Sequence, residues 1–366
     1  MQKRSGRIDK PLAILIALLV VVGILIFASA IFGPLARGAS NISSVAFKHL
    51  VFGVGAGLVA LFIASFVNYK TWRRFAPHIF VLALVATALV FVPILGFEHG
   101  GGRRWLAFGS LTFQPSEALK IASVIVAAAY FSMLRTRINE SWYGLGGLFA
   151  ILILPSVLLV LQPDLGTLGV IVLSVGAVFV AGGARFRDIL LTFTVGVVVI
   201  ASLAITLPHA RERVMTFFDP SRDPQAGGYQ IKQSLIAIGS GGLTGRGFGQ
   251  SVQKFTYLPE PMGDSIFAIA GEEFGFIGTT SIIGLFLAFA LRSFAVASRA
   301  TDSFGGLLAV GIASYLSLEA FINIASMLGL APLTGIPLTF ISQGGSAMLI
   351  SLFSAGILLN ISKYAR

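Results

Sequence analysis

Ten apolar stretches, each long enough to cross a bilayer as a helix, decide what this chain can fold into. They lie at about 11–33, 46–67, 75–96, 115–134, 144–161, 165–183, 188–207, 265–291, 305–330 and 340–361. A helix needs about 20 such residues to span the hydrocarbon. With the runs spread over the whole length, a soluble domain on one anchor is excluded. Composition agrees: of the 366 residues 56% are hydrophobic and only 11% charged, against about 25% charged in soluble domains. The expected fold is therefore all-α and integral to the membrane, one polytopic domain over 1–366. A polar break at Gln162-Pro163-Asp164-Leu165-Gly166 divides what would otherwise be one long run into the fifth and sixth spans. The first run is too long for a cleavable signal, and no small-residue cleavage site leads into a soluble domain.

Basic residues orient the bundle. Lys3, Arg4, Arg7 and Lys10 precede the first span, and Lys70, Arg73 and Arg74 follow the second. Arg135 and Arg137, Arg185 and Arg187, Arg292 and Arg299, and Lys363 and Arg366 follow spans four, six, eight and ten. Short loops on the opposite side hold Arg37, Arg103 and Arg104, with Lys48 at a span edge. Both termini are expected in the cytoplasm. The net charge of +11 thus reads as topology and anionic lipid, and no nucleic-acid partner is implied. The chain has no cysteine and four scattered histidines, which excludes thiolate chemistry and argues against a histidine metal cage.

One connection is long, about 208–264 between spans seven and eight, and it faces outward. Long loops of this kind are functional or disordered, and this one is expected to be partly mobile. Within it Ile231, Leu235 and Ile238 fall on one helical face, so an amphipathic helix in the interface is expected.

Ionisable residues near these spans need a reason. Glu117 and Lys120 lie three apart behind Pro115, the order that favours an ion pair on one helix face. Asp264 stands where the outer loop enters span eight. It could cap that helix or serve chemistry. Glu272 lies eight residues on, about 12 Å along a helix, and needs a partner inside the bundle, as does Glu319. Arg103 and Arg104 beside Trp105 suit lipid head groups or a pyrophosphate. The run from Gly239 to Gly247 is glycine-dense but lacks the Gly-Lys-Ser/Thr of a P-loop.

Taken together, the motifs resemble the SEDS family (shape, elongation, division and sporulation proteins), its division-type FtsW branch more than its RodA branch. They are Gly102-Arg103-Arg104-Trp105-Leu106, Phe113-Gln114-Pro115-Ser116-Glu117 with Lys120, and Gln162-Pro163-Asp164-Leu165-Gly166-Thr167. Next come Phe218-Asp219-Pro220, Gly228-Tyr229-Gln230, the run Gln233 to Gly242, and Leu258-Pro259-Glu260. Phe321-Ile322-Asn323-Ile324, Gly335-Ile336-Pro337-Leu338 and Ser342-Gln343-Gly344-Gly345-Ser346 complete the series, in family order over nearly the whole chain. Gln250 to Lys254 leading into Tyr257-Leu258-Pro259-Glu260 favours the division-type branch. Three positions depart from the family pattern. Met262-Gly263 stands where His-Thr is usual before the aspartate, Gln343 where tyrosine is usual, and Glu319 where glutamine is usual.

The resemblance implies a peptidoglycan glycosyltransferase of the bacterial cytoplasmic membrane. It would polymerise lipid II on the outer side, for septal synthesis in division, beside a class B penicillin-binding protein and other divisome or elongasome membrane proteins. An α-linked undecaprenyl-pyrophosphoryl donor giving a β-1,4 glycan requires one inverting displacement, with a general base on the acceptor hydroxyl and cations on the leaving group. Asp264 matches the aspartate essential to the family and is implied as that base. Arg103, Arg104, Lys254 and Arg246 are candidates for pyrophosphate contact, Glu260 and Asp164 for the substrate rim, and Glu117 with Lys120 for an architectural pair. No cofactor is required. A divalent cation, Mg or Mn, could help neutralise the pyrophosphate, though no metal-ligand spacing demands one. A RodA-type elongation polymerase, a lipid II flippase and a transpeptidase-recruiting scaffold are the alternatives. A flippase or a scaffold needs no base.

Overall fold

The computed structural model describes residues 6–36, 42–99, 102–109, 111–223 and 225–365. Lys3, Arg4, Arg37 and Arg366, used above, lie outside the described residues.

Among the described residues nine helices are long and apolar enough to cross a membrane, and a tenth, Leu165–Ala181, is apolar but shorter. The first, Lys10–Ala36, is followed by Ser44–Phe66, Tyr69–Phe91, Pro115–Leu134 and Gly144–Leu161. After Leu165–Ala181 come Phe186–Thr206, Ile266–Ser298, Ser303–Met327 and Gly345–Ser362. Local chemistry sets their starts. The carboxylates of Asp9, Asp164 and Asp302 accept the backbone N–H of Leu12, Thr167 and Gly305, and the Asn68 amide oxygen accepts that of Lys70, each satisfying a donor that a helix N-terminus leaves free. Pro115 opens the fourth helix, as proline suits a first turn.

The third span starts at Tyr69, six residues earlier than the hydropathy run, because its basic first turn is helical too. The tenth starts at Gly345, later than expected, and leaves 328–344 as an irregular connection. Spans nine and ten are the most enclosed, and span four follows. Span seven is the opposite: of its residues only Asp188 is buried. Between spans three and four lies a small antiparallel sheet that hydropathy does not announce, with β1 (Gly96–His99), β2 (Gly102–Phe108) and β3 (Leu111–Phe113) in that order.

The chain ends meet. The Asp9 N–H donates to Ser362 Oγ at 3.1 Å, and the Asp9 carboxylate takes both Arg292 Nε (2.9 Å) and Arg292 Nη2 (2.6 Å). Nearby, the Tyr69 N–H donates to Asn360 Oδ1 at 2.8 Å and Asn360 Nδ2 donates to the Ser65 carbonyl at 2.8 Å. The starts of spans one and three and the ends of spans two, eight and ten therefore share one end of the bundle.

The long connection is mostly helical, with Pro208–Phe218, Gly227–Ser240 and Gln253–Thr256. Gly227–Ser240 packs against span eight, where Ile238 stands next to Gly271; it buries Ile231, Ser234 and Ala237, while Leu235 is 44% exposed. Of the expected Ile231–Leu235–Ile238 stripe, Ile231 is buried and Ile238 packs on the core, while Leu235 is turned out, because the bundle covers a face that runs through Ser234 and Ala237. Span eight is broken at Gly275 (φ 64°, ψ −160°). The connection repairs the break: Phe276 and Ile277 donate to the carbonyls of Gly242 and Leu243, and Arg246 and Gly247 donate to those of Glu272 and Glu273. The glycine-dense run is what lets the two backbones meet. A methyl group on Gly245 would lie 2.1 Å from the Glu273 carbonyl oxygen.

Candidate active site

A cavity of about 380 Å³ opens at the end of the bundle away from the chain ends. Parts of the chain far apart in sequence build it. Arg104 comes from β2, Pro163 from the break between spans five and six, and Arg213 from the helix Pro208–Phe218. Asp264 comes from the entry to span eight, Asn323 from span nine, and Thr334 to Ile336 from the irregular connection. A second, mainly apolar cavity of about 290 Å³ adjoins it, sharing Pro163, His209 and Arg213.

Asp264 is held through its backbone: Asn323 Nδ2 donates to the Asp264 carbonyl (2.9 Å) and to that of Ile336 (2.8 Å). The carboxylate itself forms no hydrogen bond or ion pair among the described residues. In particular it accepts no N–H from the helix it precedes, whose N-cap position is Ser265. The capping explanation therefore fails. The group is partly open to the cavity yet surrounded by protein at longer range. Burial raises its pKa to about 6, and the charge of Glu260 adds to the rise while Arg213 and Arg104 oppose it. Gly335 (φ 71°) leaves the approach clear: a methyl group there would stand 3.6 Å from Asp264 Oδ2 and 4.0 Å from Arg213 Nη2.

Arg104 reaches the cavity by donating to the backbone carbonyls of Gln162 (3.1 Å) and Pro163 (2.6 Å). Its neighbour Arg103 points elsewhere, 3.4 Å from Glu98 on the exposed side of the sheet, as successive strand residues do. Asp164 is 4% exposed and caps span six, with Gln114 and Ser116 as further donors. Its charge is felt by Asp264, but it does not line the cavity. Glu260 is exposed, with φ 44°, and acts on Asp264 only at a distance.

The structure does not bring Lys254 or Arg246 to the cavity. Lys254 is fully buried, with Nζ 2.7 Å from Glu273 Oε1, 2.8 Å from Ser29 Oγ and 2.9 Å from the Gly249 carbonyl. Beside it Glu272 caps Gln253–Thr256, accepting the N–H of Val252 and Gln253 and the Ser251 hydroxyl, and Arg246 lies 3.5 Å away. This pair of carboxylates ties the connection to span eight. Glu117 and Lys120 do pair, at 2.8 Å, and Lys120 also meets Glu319. All three are 2% exposed. The unusual Glu319 therefore makes a buried triad of two carboxylates around one ammonium.

Arg213 and Asn323 are the cavity residues whose place sequence reasoning missed. Arg213 was visible only as one of several basic residues in the long connection. Asn323 stood in a family motif without a role. No group of three or more His, Asp or Glu converges as a metal site among the described residues.

A family model described as a cell cycle protein, FtsW/RodA/SpoVE, matches residues 10–366. Stage V sporulation protein E of Bacillus subtilis is 38% identical over 319 residues, 87% of each chain. A protein named probable peptidoglycan glycosyltransferase FtsW from Geobacter sulfurreducens is 38% identical over 314 residues, 84% of this chain and 82% of that one. A solved chain described under structural coordination of polymerization and crosslinking by a peptidoglycan synthase complex superposes with a TM-score of 0.80 at 27% identity, covering 97% of both.

Proposed function

The chain belongs to the FtsW/RodA/SpoVE family of cell cycle proteins, and from that premise we propose that it is a peptidoglycan glycosyltransferase that polymerises lipid II with Asp264 as general base. The observation that carries the assignment of the base is one carboxylate without a partner, in a cavity that also holds two arginines.

The 4-hydroxyl of the acceptor N-acetylglucosamine attacks the anomeric carbon of the donor. Its proton passes to Asp264 as the new glycosidic bond forms and the bond to the pyrophosphate breaks. One displacement inverts the α-linkage to β, so no covalent nucleophile is needed. A base with a pKa near the working pH is ionised yet able to accept a proton, and about 6 meets that condition. Arg104 is placed to offset the charge that grows on the leaving pyrophosphate. An assisting Mg or Mn ion would be held largely by the pyrophosphate itself, as such ions commonly are.

The setting we assign is the bacterial cytoplasmic membrane, with both termini inside and the cavity outward, at the septum during division. The division-type motif from Gln250 to Glu260 and the FtsW relative support that role. The similar synthase complex supports a class B penicillin-binding protein as partner. The test is polymer formation from lipid II by the purified protein, with and without that transpeptidase, for wild type and Asp264→Asn. Polymer from wild type alone is expected. Equal polymer from both would remove Asp264 as base, and no polymer under any partnered condition would favour lipid transport.

A further inference from the structure

The second arginine of the cavity has no role in the scheme above. Arg213 stands on Pro208–Phe218, the helix that follows the poorly enclosed seventh span. One of its N–H groups donates to the Thr334 carbonyl at 3.1 Å. The others have no partner among the described residues. Arg104 is held in the same manner, by two carbonyls. Both cations are thus positioned by neutral oxygens, and neither is paired with a carboxylate. Burial and the charge of Arg104 push the Arg213 pKa below its ordinary value, against the opposing pull of Asp164 and Asp264. The site therefore holds two like charges that repel one another.

The carboxylates at the cavity do not resolve this. Asp223 is committed to the backbone N–H groups of Ala226 and Gly227. Glu212 is exposed at the rim. Asp264 faces the cavity unpaired. A ligand carrying two or more negative charges between the arginines would relieve their repulsion. A guanidinium fork also matches phosphate oxygens two at a time.

We infer that Arg213 is the second arm of a clamp that, with Arg104, holds the diphosphate of the polyprenyl-linked donor, leaving Asp264 to face the acceptor hydroxyl. This rests on the polymerase reading. It divides the cavity into a cationic leaving-group side and an acidic acceptor side. As the bond between the anomeric carbon and the diphosphate oxygen breaks, that oxygen keeps the electron pair, so the clamp tightens in the transition state. Loss of Arg213 should then lower kcat as well as binding.

The test measures undecaprenyl diphosphate and undecaprenyl monophosphate binding to the full-length protein in detergent, without turnover, for wild type, Arg213→Gln and Arg213→Lys. Wild type should prefer the diphosphate. Arg213→Gln should weaken diphosphate binding about tenfold and monophosphate binding much less. Arg213→Lys should recover only part, since a point charge cannot form the fork. An unchanged diphosphate-to-monophosphate ratio in a folded Arg213→Gln protein overturns the clamp. If that variant does not fold, Arg213→Lys decides: a reduced ratio supports the clamp and an unchanged ratio overturns it. Polymerisation by Asp264→Asn is measured alongside. Wild-type activity there would defeat the base assignment while leaving the binding result standing.

Discussion

At the scale of single residues, Asp264 separates function from stability. Its folded pKa of about 6 lies above the usual 3.8, so the protonated form is favoured by folding. The stability this gives is fully present below pH 3.8 and is lost as pH rises through 6. At pH 7 the ionised group costs about 2 kcal/mol, allowing for its partial exposure. Asp264→Asn should therefore melt higher than wild type at pH 7, with the gap closing towards pH 4, while making no polymer. Thermal melts across that range read the first effect. Wild-type polymerisation should fall roughly tenfold from pH 7 to pH 5, following the ionised fraction. A flat profile would separate the rate from this carboxylate. The buried triad makes an asymmetric prediction. Lys120→Met strands Glu117 and Glu319 and should cost about 3–5 kcal/mol. Glu319→Gln leaves the Glu117–Lys120 pair intact and should melt close to wild type. The pair was legible from its spacing. The third member was not, since Glu319 lies 199 positions from Lys120 and only packing brings them together. Lys254 shows the opposite failure. In sequence it looked like a loop cation near the aspartate, and its partner Glu273 stands 19 positions on, inside span eight.

At the scale of elements, hydropathy locates the spans well because crossing hydrocarbon demands length and apolarity, and little else competes. It fails where backbone geometry decides. Nothing in a hydropathy run says that span eight breaks at Gly275, or that 242–247 supplies the missing hydrogen-bond partners. The signal was the glycine density of 239–249, whose meaning depends on what lies opposite. At Gly275 both the left-handed φ and the neighbour matter: a methyl group there would lie 2.3 Å from the Gly245 nitrogen. Gly275→Ala should therefore destabilise by at least about 1–3 kcal/mol from backbone strain alone, and the displaced connection should add to that. Hydrogen exchange would show it as faster exchange at Arg246, Gly247, Phe276 and Ile277. Unchanged protection at those four amides would mean that the break does not depend on glycine. The two departures from the family pattern around the aspartate are likewise linked through an element. The Gln343 N–H donates to the Met262 carbonyl at 2.7 Å, and Ser342 Oγ donates to that of Gly263 at 2.8 Å. Positions read separately in sequence are one contact in the fold.

At the scale of the molecule, the arrangement divides the chain into two ends with different chemistry. One end gathers both described chain ends, the Asp9–Arg292 pair and the basic first turn of span three. The other holds the cavity, the sheet and the long connection. The positive-inside rule puts the first end in the cytoplasm, and the polymerase reading needs the second outside, where the glycan is built. These two arguments are independent, one from charge and one from chemistry, and a single labelling experiment tests both. The chain has no cysteine, so one introduced thiol reports without background. Tyr257 in the long connection is 51% exposed and Tyr364 near the end is 38% exposed. A membrane-impermeant maleimide should modify Tyr257→Cys in intact spheroplasts, and Tyr364→Cys only after the membrane is opened. The reverse pattern would turn the cavity towards the cytoplasm and defeat outward polymerisation along with the orientation. Labelling of both in intact cells would put Tyr257 and Tyr364 on one side and contradict the three crossings, spans eight to ten, that separate them.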